Sequence, residues 1–289
     1  IVLRLLWYRR KMKNKSSNLV KICVVRQPSP GPHTHVHTLR LLKILEPLAE
    51  KIHLITGNFP EEAISGEKFH IINMKARAYY DKKVLELTKP TAIAQVILTD
   101  LRFSHRLFKI SRDVDVVVFF IAMTFPLTML SAKLLRKKVI FIATGSPRRT
   151  AEKTPIKDLF GIGKSLMPRL VRTLEKMNYF LSDRIVVELE GIVQWLGVEK
   201  HKRKVSVGRF FIDTAFFSIQ RPYETRQNVV GHIGNLSHEK GVMTLYKAIP
   251  LILETRKDIG FIIGGHGPLF QEIAEGVRKD GLSDKVTVL

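Results

Sequence analysis

Short apolar runs recur along the chain, separated by longer stretches in which apolar residues return every third or fourth position. Runs at Lys21–Arg26, Ile52–Thr56, Phe69–Asn73, Val114–Ile121, Val139–Ala143, Arg184–Glu188 and Lys204–Val207 read as strands. The 3.6-residue pattern from about Thr34 to Glu50 reads as a helix. Strand and helix in alternation predict a mostly parallel, doubly wound α/β domain over residues 19–217. A polar stretch at 218–228 interrupts the rhythm and reads as a hinge. Beyond it the pattern predicts a buried strand from Val229, a helix over Glu239–Arg256, a strand over Ile259–Ile263, a helix over Pro268–Lys279 and a strand from Val286. Residues 229–289 are thus expected to form a second domain.

With 289 residues and 45% hydrophobic composition the chain can bury a sizeable core. Its 48 Lys and Arg against 26 Asp and Glu give a net charge of +22. That excess implies an anionic partner: membrane phospholipid, a phosphorylated substrate or nucleic acid. No nucleic-acid motif accompanies the charge, so nucleic acid is not the expected partner. The first 18 residues form a basic arm, and no acid precedes Glu46. Ile1–Lys13 mixes apolar anchors with cations, a composition suited to an anionic bilayer surface or, equally, to a disordered basic tail. Its cations follow the apolar run rather than precede it, which argues against a secretory signal.

The 17 uncharged positions from Val116 to Ala132 fall short of a span and contain Pro126, so a strand followed by a helix is expected. Cys23, the single cysteine, is expected in the core, in a reducing compartment. His33, His35 and His37 alternate in a loop with no cysteine or carboxylate beside them, which favours a polar loop over a metal site.

The most telling chemistry lies in two glycine turns. Val229-Val230-Gly231-His232-Ile233-Gly234-Asn235 leads into Ser237-His238-Glu239-Lys240-Gly241, and Phe261-Ile262-Ile263-Gly264-Gly265-His266-Gly267-Pro268 repeats the strand-turn-helix plan. Bare backbone after a strand, helix N–H groups and a lysine suit a phosphate. Two such turns on neighbouring strands suit a diphosphate.

This region resembles the donor-binding domain of retaining nucleotide-sugar glycosyltransferases of the GT-B fold, glycosyltransferase family 4, whose pattern is a glycine turn, Glu-Lys-Gly and a later Gly-x-Gly-Pro. The segment Ile212–Phe217 is similar to the family's interdomain stretch. The resemblance implies two Rossmann-like domains facing across a cleft, the second incomplete. It implies transfer of a sugar from a UDP- or GDP-type donor to a glycan or lipid-linked acceptor hydroxyl, with retention and without metal or cofactor. Gly234, Asn235, Lys240, Gly241, Gly265 and Gly267 would hold the diphosphate, with backbone N–H groups of the four glycines serving as donors. Gly31 and His33 would belong to the acceptor-side loop.

Three departures from the family pattern qualify this. Asn235 stands where the family has arginine, Thr144 stands at a strand end where many members carry a histidine near the reacting sugar, leaving the catalytic residue unassigned, and prolines replace most glycines of the loop 27–32. The family's paired glutamates fall beyond Leu289. The alternative is therefore a catalytically incomplete subunit or fragment whose donor site a partner chain completes. By resemblance, the segment 74–110 falls where membrane-associated members present an amphipathic surface, although ordinary surface helices fit it as well. The expected location is cytoplasmic, peripheral on the inner face of the membrane.

Overall fold

The computed structural model describes residues 19–28, 35–74, 90–121, 125–144, 163–208, 217–219 and 221–289, leaving aside the side chains of 90–93, 163–168 and 170–171. The basic arm, Gly31, His33 and most of the interdomain segment lie outside the described residues. The chain divides into two units, Ile1–Phe211 and Ile212–Leu289.

Unit 1 is built on seven parallel strands: β1 (Val20–Arg26), β2 (Ala49–Gly57), β3 (Phe69–Met74), β4 (Val116–Phe120), β5 (Lys138–Ala143), β6 (Arg184–Val187) and β7 (Val205–Val207). Their spatial order is β3-β2-β1-β4-β5-β6-β7. Its helices are α1 (Val36–Leu45), α2 (Pro90–Ile110), α3 (Pro126–Leu134), α4 (Gly163–Leu181) and the short α5 (Ile192–Leu196).

The two-residue period of the strands sorts the core into two layers. Cys23, Val25, Val117 and Phe119 point to one face, where Phe103 and Leu107 of α2, Met129 of α3 and Tyr179 of α4 cover them. Ile22, Val24, Val116 and Val118 point to the other, against Leu41, Leu42 and Leu45 of α1. Cys23 is fully buried as expected, and burial pushes its thiol pKa up. Its environment is that of a small core residue.

The helix expected to Glu50 stops at Leu45. Pro47 lies in the single 3-10 turn Glu46–Leu48, and β2 already begins at Ala49. A proline there supplies no N–H to prolong the α-helix. Val116–Ala132 resolves into β4, residues outside the description at 122–124, and most of α3, the strand-then-helix pattern expected. Among the described residues no helix is long and apolar enough to cross a membrane.

Unit 2 has three parallel strands, β8 (Val229–Ile233), β9 (Gly260–Gly264) and β10 (Val286–Val288), in the order β10-β9-β8. Helices α6 (Val242–Thr255) and α7 (Phe270–Lys279) make the two crossovers. Successive crossovers of one hand, moving one way along a sheet, place both helices on one face. Phe261, Ile263 and Val286 are buried against Ile249, Ile273 and Val277 there.

This overturns the expectation that β8 is buried. It is an edge strand, and Val229 (42%), Val230 (37%) and Ile233 (86%) are exposed. Val229 and Ile233 pair in register with Gly260 and Gly264 of β9, whose buried Phe261 and Ile263 alternate toward the helices, so they belong to the face away from α6 and α7.

Candidate functional site

The two glycine turns meet because β8 and β9 are hydrogen-bonded neighbours. The turn after β8 and the turn after β9 are joined by three backbone bonds: Gly234 N–H to Gly264 O (2.9 Å), Leu236 N–H to His266 O (2.9 Å) and Leu269 N–H to Leu236 O (3.1 Å). Leu236 is fully buried and anchors the first turn in the unit's core.

Glycine is required at this junction by space. Gly265 has φ 137°, and a Cβ there would overlap the Gly234 carbonyl. A Cβ on Gly267 would overlap the Leu236 carbonyl and stand 2.7 Å from Asn235 Oδ1, so the Asn235 side chain lies against the second turn. Gly234, Asn235, Gly265 and Gly267 are thus brought together as the strand order predicts.

Their hydrogen bonds correct the expected chemistry. The N–H of Gly234 is spent on Gly264 O, that of Gly265 on Leu289 O (2.8 Å), and that of Gly241 on His238 O (3.1 Å). A backbone donor already paired inside the sheet junction contributes little to a ligand. Three of the four glycines therefore serve close approach or backbone freedom rather than donation.

The donors lie a few residues on. The helix expected to open near Glu239 begins instead with a 3-10 turn, His238–Lys240, then Gly241 in the left-handed region (φ 71°), then α6 from Val242. Thr244 and Leu245 N–H both reach Gly241 O, at 3.0 and 3.1 Å. The N–H groups of Val242 and Met243 have no backbone partner among the described residues, as befits a helix start. Lys240 is exposed, and its ammonium enters no ion pair among the described residues. Ser237 Oγ, three residues before it, is buried without a hydrogen-bond partner. Sequence reasoning gave Ser237 no role, since a serine before a helix reads as a cap, and here its side chain makes no cap bond. Pro268 likewise sits in the turn before α7 rather than at its first position.

In unit 1 the chain winds outward in both directions from β1 and β4, which makes their carboxyl ends the topological switch point. Ile121, just past β4, has φ 49°, a strained conformation for a β-branched residue, and its carbonyl accepts from Gln27 N–H at 3.4 Å. Arg26 ends β1 only 2% exposed, and burial lowers its pKa to about 10. Gln27 Oε1 beside it, Thr56 Oγ1 near the end of β2, and His35 Nδ1 and Thr38 Oγ1 at the start of α1 are buried without partners among the described residues.

Thr144 follows β5 at the same edge, half-buried. Glu188 follows β6; burial raises its pKa, and the nearby His37 opposes the rise. The arginine closing the apolar run Ile22–Val25 was the one signal in the sequence that could have marked this cluster. Among the described residues, no group of three or more His, Cys, Asp or Glu side chains is placed to hold a metal ion.

Residues 214–289 match the family model described as Glycosyl transferases group 1. No curated protein sequence matches the chain. Among solved structures, the chain is similar to Anabaena Alr3699/HepE in complex with UDP and glucose, at 13% identity and TM-score 0.60, covering 93% of this chain and 69% of that one. It is similar to the trehalose-6-phosphate synthase OtsA at 11% identity and TM-score 0.61, covering 93% and 73%. The lipopolysaccharide outer core galactosyltransferase WaaB, in its apo form, gives 12% identity and TM-score 0.54, covering 92% and 67%. At these identities the likeness is one of fold. The chain has a GT-B-type α/β fold of two Rossmann-like units, and its second unit carries the Glycosyl transferases group 1 match.

Proposed function

We propose that the chain transfers a sugar from a UDP- or GDP-linked donor to a hydroxyl of a glycan or lipid-linked acceptor, with retention of configuration and without a metal. The observation that carries this reading is the pair of joined turns at the carboxyl ends of β8 and β9, beside Lys240 and the Ser237 Oγ, neither of which has a partner among the described residues, inside the segment matching the family.

In the step itself the bond from the anomeric carbon to the diphosphate breaks, the acceptor oxygen bonds that carbon on the same face, and the acceptor proton passes to a departing phosphate oxygen. Charge then accumulates on the diphosphate. Lys240 and the open N–H groups of Val242 and Met243 oppose it where it develops. Asn235 adds an amide where an arginine would add a cationic fork. The partnerless groups around Arg26 and the Thr144 edge of unit 1 supply donors and acceptors suited to a polyhydroxyl acceptor.

Calorimetric titration with UDP- and GDP-sugars tests the donor site. Lys240→Ala is expected to weaken the bound donor about tenfold, about 1.4 kcal/mol. Equal affinity in both proteins removes Lys240 from the site. Retention is read from the anomeric configuration of the product by NMR, in the presence of a chelator to test independence from metal.

A second reading, an incomplete subunit completed by a partner chain, is favoured by the internal pairing of the Gly234, Gly241 and Gly265 N–H groups. Donor binding only when a co-purified chain is present would establish it. On either reading the net charge of +22 fits peripheral attachment to an anionic membrane at its cytoplasmic face.

A further inference from the structure

On the face of the unit 1 sheet that α1 covers, the inward residues stay apolar almost to the end of each strand: Ile22 and Val24 in β1, Ile52 and Leu54 in β2, Phe69 and Ile71 in β3. Strand alternation puts Arg26, Thr56 and Asn73 next on that same face. The register aligns them, since Val25 pairs with Ile55, which sets Arg26 beside Thr56, and Thr56 pairs with Asn73. The apolar layer therefore closes, at the carboxyl edge, in a polar row.

Helix α1 lies over that row. It follows β1 and returns to the start of β2, so its first turn stands at the carboxyl edge. Thr38 shares the buried stripe of α1 with Leu41, Leu42 and Leu45, at the spacing of one helix face, which turns it toward Arg26 and Thr56. The first turn of α1 holds no acidic residue, and His35 before it makes no side-chain cap bond. The positive end of this helix is thus not compensated by its own sequence.

Asn73 is spent within the fold: it accepts from Phe59 N–H (3.1 Å) and donates to Phe59 O (2.8 Å) and Glu61 Oε1 (3.2 Å). Thr38 and Thr56 are different. Both are fully buried, and neither hydroxyl has a hydrogen-bond partner, nor has the buried Nδ1 of His35. Other buried threonines of unit 1 are satisfied, Thr99 by Gln95 O at 2.8 Å and Thr128 by Asp100 Oδ1 at 2.6 Å. A buried hydroxyl left open costs free energy, and such exceptions call for an explanation. Arg26, 2% exposed and donating from Nη1 to Gln27 O at 3.2 Å, brings a full positive charge to the same row.

A neutral polyol would use the hydroxyls alone. A buried guanidinium, a helix amino end and two donor hydroxyls together suit an oxyanion. A carboxylate offers two oxygens, which the guanidinium fork would take up. A phosphoryl group offers three, leaving acceptors for the hydroxyls and the helix.

We propose that this row is a phosphate subsite, and that the acceptor carries a phosphoryl group held by Arg26, Thr38, Thr56 and the amino end of α1. This deepens the acceptor part of the reading above and rests on it, whereas the binding of phosphate to the row does not depend on Lys240. A soluble sugar phosphate and a lipid-linked one present the same group.

Inorganic phosphate is titrated calorimetrically into the full chain, with UDP in excess to fill the donor site. Binding is expected. The pair Thr38→Val with Thr56→Val should weaken it about tenfold, and Arg26→Met should weaken it further. Valine keeps the shape of threonine, and the hydroxyls it removes make no bond within the protein, so without phosphate the thermal midpoint of the pair should hold or rise. Glycerol 3-phosphate in solution and dodecyl phosphate in neutral micelles then separate the two sources, the tighter ligand naming the one used.

No phosphate binding by the unaltered chain overturns the proposal. So does binding unchanged in both the threonine pair and Arg26→Met, or glycerol binding as tightly as glycerol 3-phosphate. Binding lost in Lys240→Ala but kept in the threonine pair assigns the phosphate to unit 2 and overturns it too. Phosphate binding that the threonine pair weakens, in a chain that takes up no UDP- or GDP-sugar, supports the subsite while removing the donor reading, so the two failures are distinct.

Discussion

Gly265 and Lys240 serve the same pair of turns in opposite ways, and substitution separates them. Gly265 holds φ 137° with no room for a Cβ against the Gly234 carbonyl. Gly265→Ala must push the two turns apart or strain the backbone, at about 2 kcal/mol or more. In a urea titration its midpoint should fall with the slope retained, and a midpoint within error of the unaltered chain would show that the turns do not touch. Lys240 is exposed and enters no ion pair among the described residues, so Lys240→Ala should leave the same midpoint within about 0.5 kcal/mol while weakening the donor. Ser237 stands between the two. Its buried hydroxyl has no partner among the described residues, so Ser237→Ala should cost stability little and reveal its worth only when a UDP-sugar is present.

Helix α3 depends on a contact that no local pattern announces. Asp100 on α2 accepts from Leu127 N–H (2.8 Å), Thr128 N–H (2.9 Å) and Thr128 Oγ1 (2.6 Å). It thereby caps α3 from 27 residues away. Asp100→Ala strands those buried donors and should cost about 2 kcal/mol in chemical denaturation, with Asp100→Asn recovering part through its remaining acceptor oxygen. A loss under about 0.5 kcal/mol in the alanine variant would show that water replaces the carboxylate.

The same distinction separates what was legible in the sequence from what was not. The strands were legible because each apolar run is bounded by turn residues, and the meeting of the two glycine turns followed from β8 and β9 being consecutive in the sheet. The end of α1 was marked by Pro47, yet the 3.6-residue pattern ran on into β2 and concealed it. The exposure of β8 follows from both crossovers of unit 2 lying on one face, which periodicity along one strand does not record. Arg26 and Gln27 meet Ile121 only because β4 pairs with β1, Thr56 joins that end of the sheet through the β1–β2 pairing, and strand order is likewise a property of the folded sheet.

Charge across unit 1 is balanced by few carboxylates, and one of them gathers much of it at the amino end of the sheet. Asp113, just before β4, contacts Lys21 of β1 (2.6 Å), Lys51 of β2 (2.7 Å) and His53 Nε2 (3.1 Å). The two lysines and then His53 hold its carboxyl well below the usual range. His53, 6% exposed and with its ring tilted against that of His70 at 5.3 Å, has its pKa lowered from 6.5, chiefly by burial, with His70 and Lys51 adding to the effect and Asp113 opposing it. His201 is lowered as well, by burial and then Lys204. A histidine whose folded pKa lies below its unfolded value is protonated first in the unfolded chain. Its neutral form thus contributes stability above pH 6.5, and that contribution is lost as pH falls through the folded pKa. Asp113 changes the balance only in far stronger acid, and the raised pKa values of Asp100 and Glu188, both due first to burial, act in the opposite sense as those carboxyls take up protons. Between about pH 7 and 5 the thermal midpoint should therefore fall with acid, and it should fall less steeply in a His53→Gln, His201→Gln double variant. A slope that the double variant leaves untouched would place the acid sensitivity elsewhere, in the self-repulsion of a chain already carrying +22.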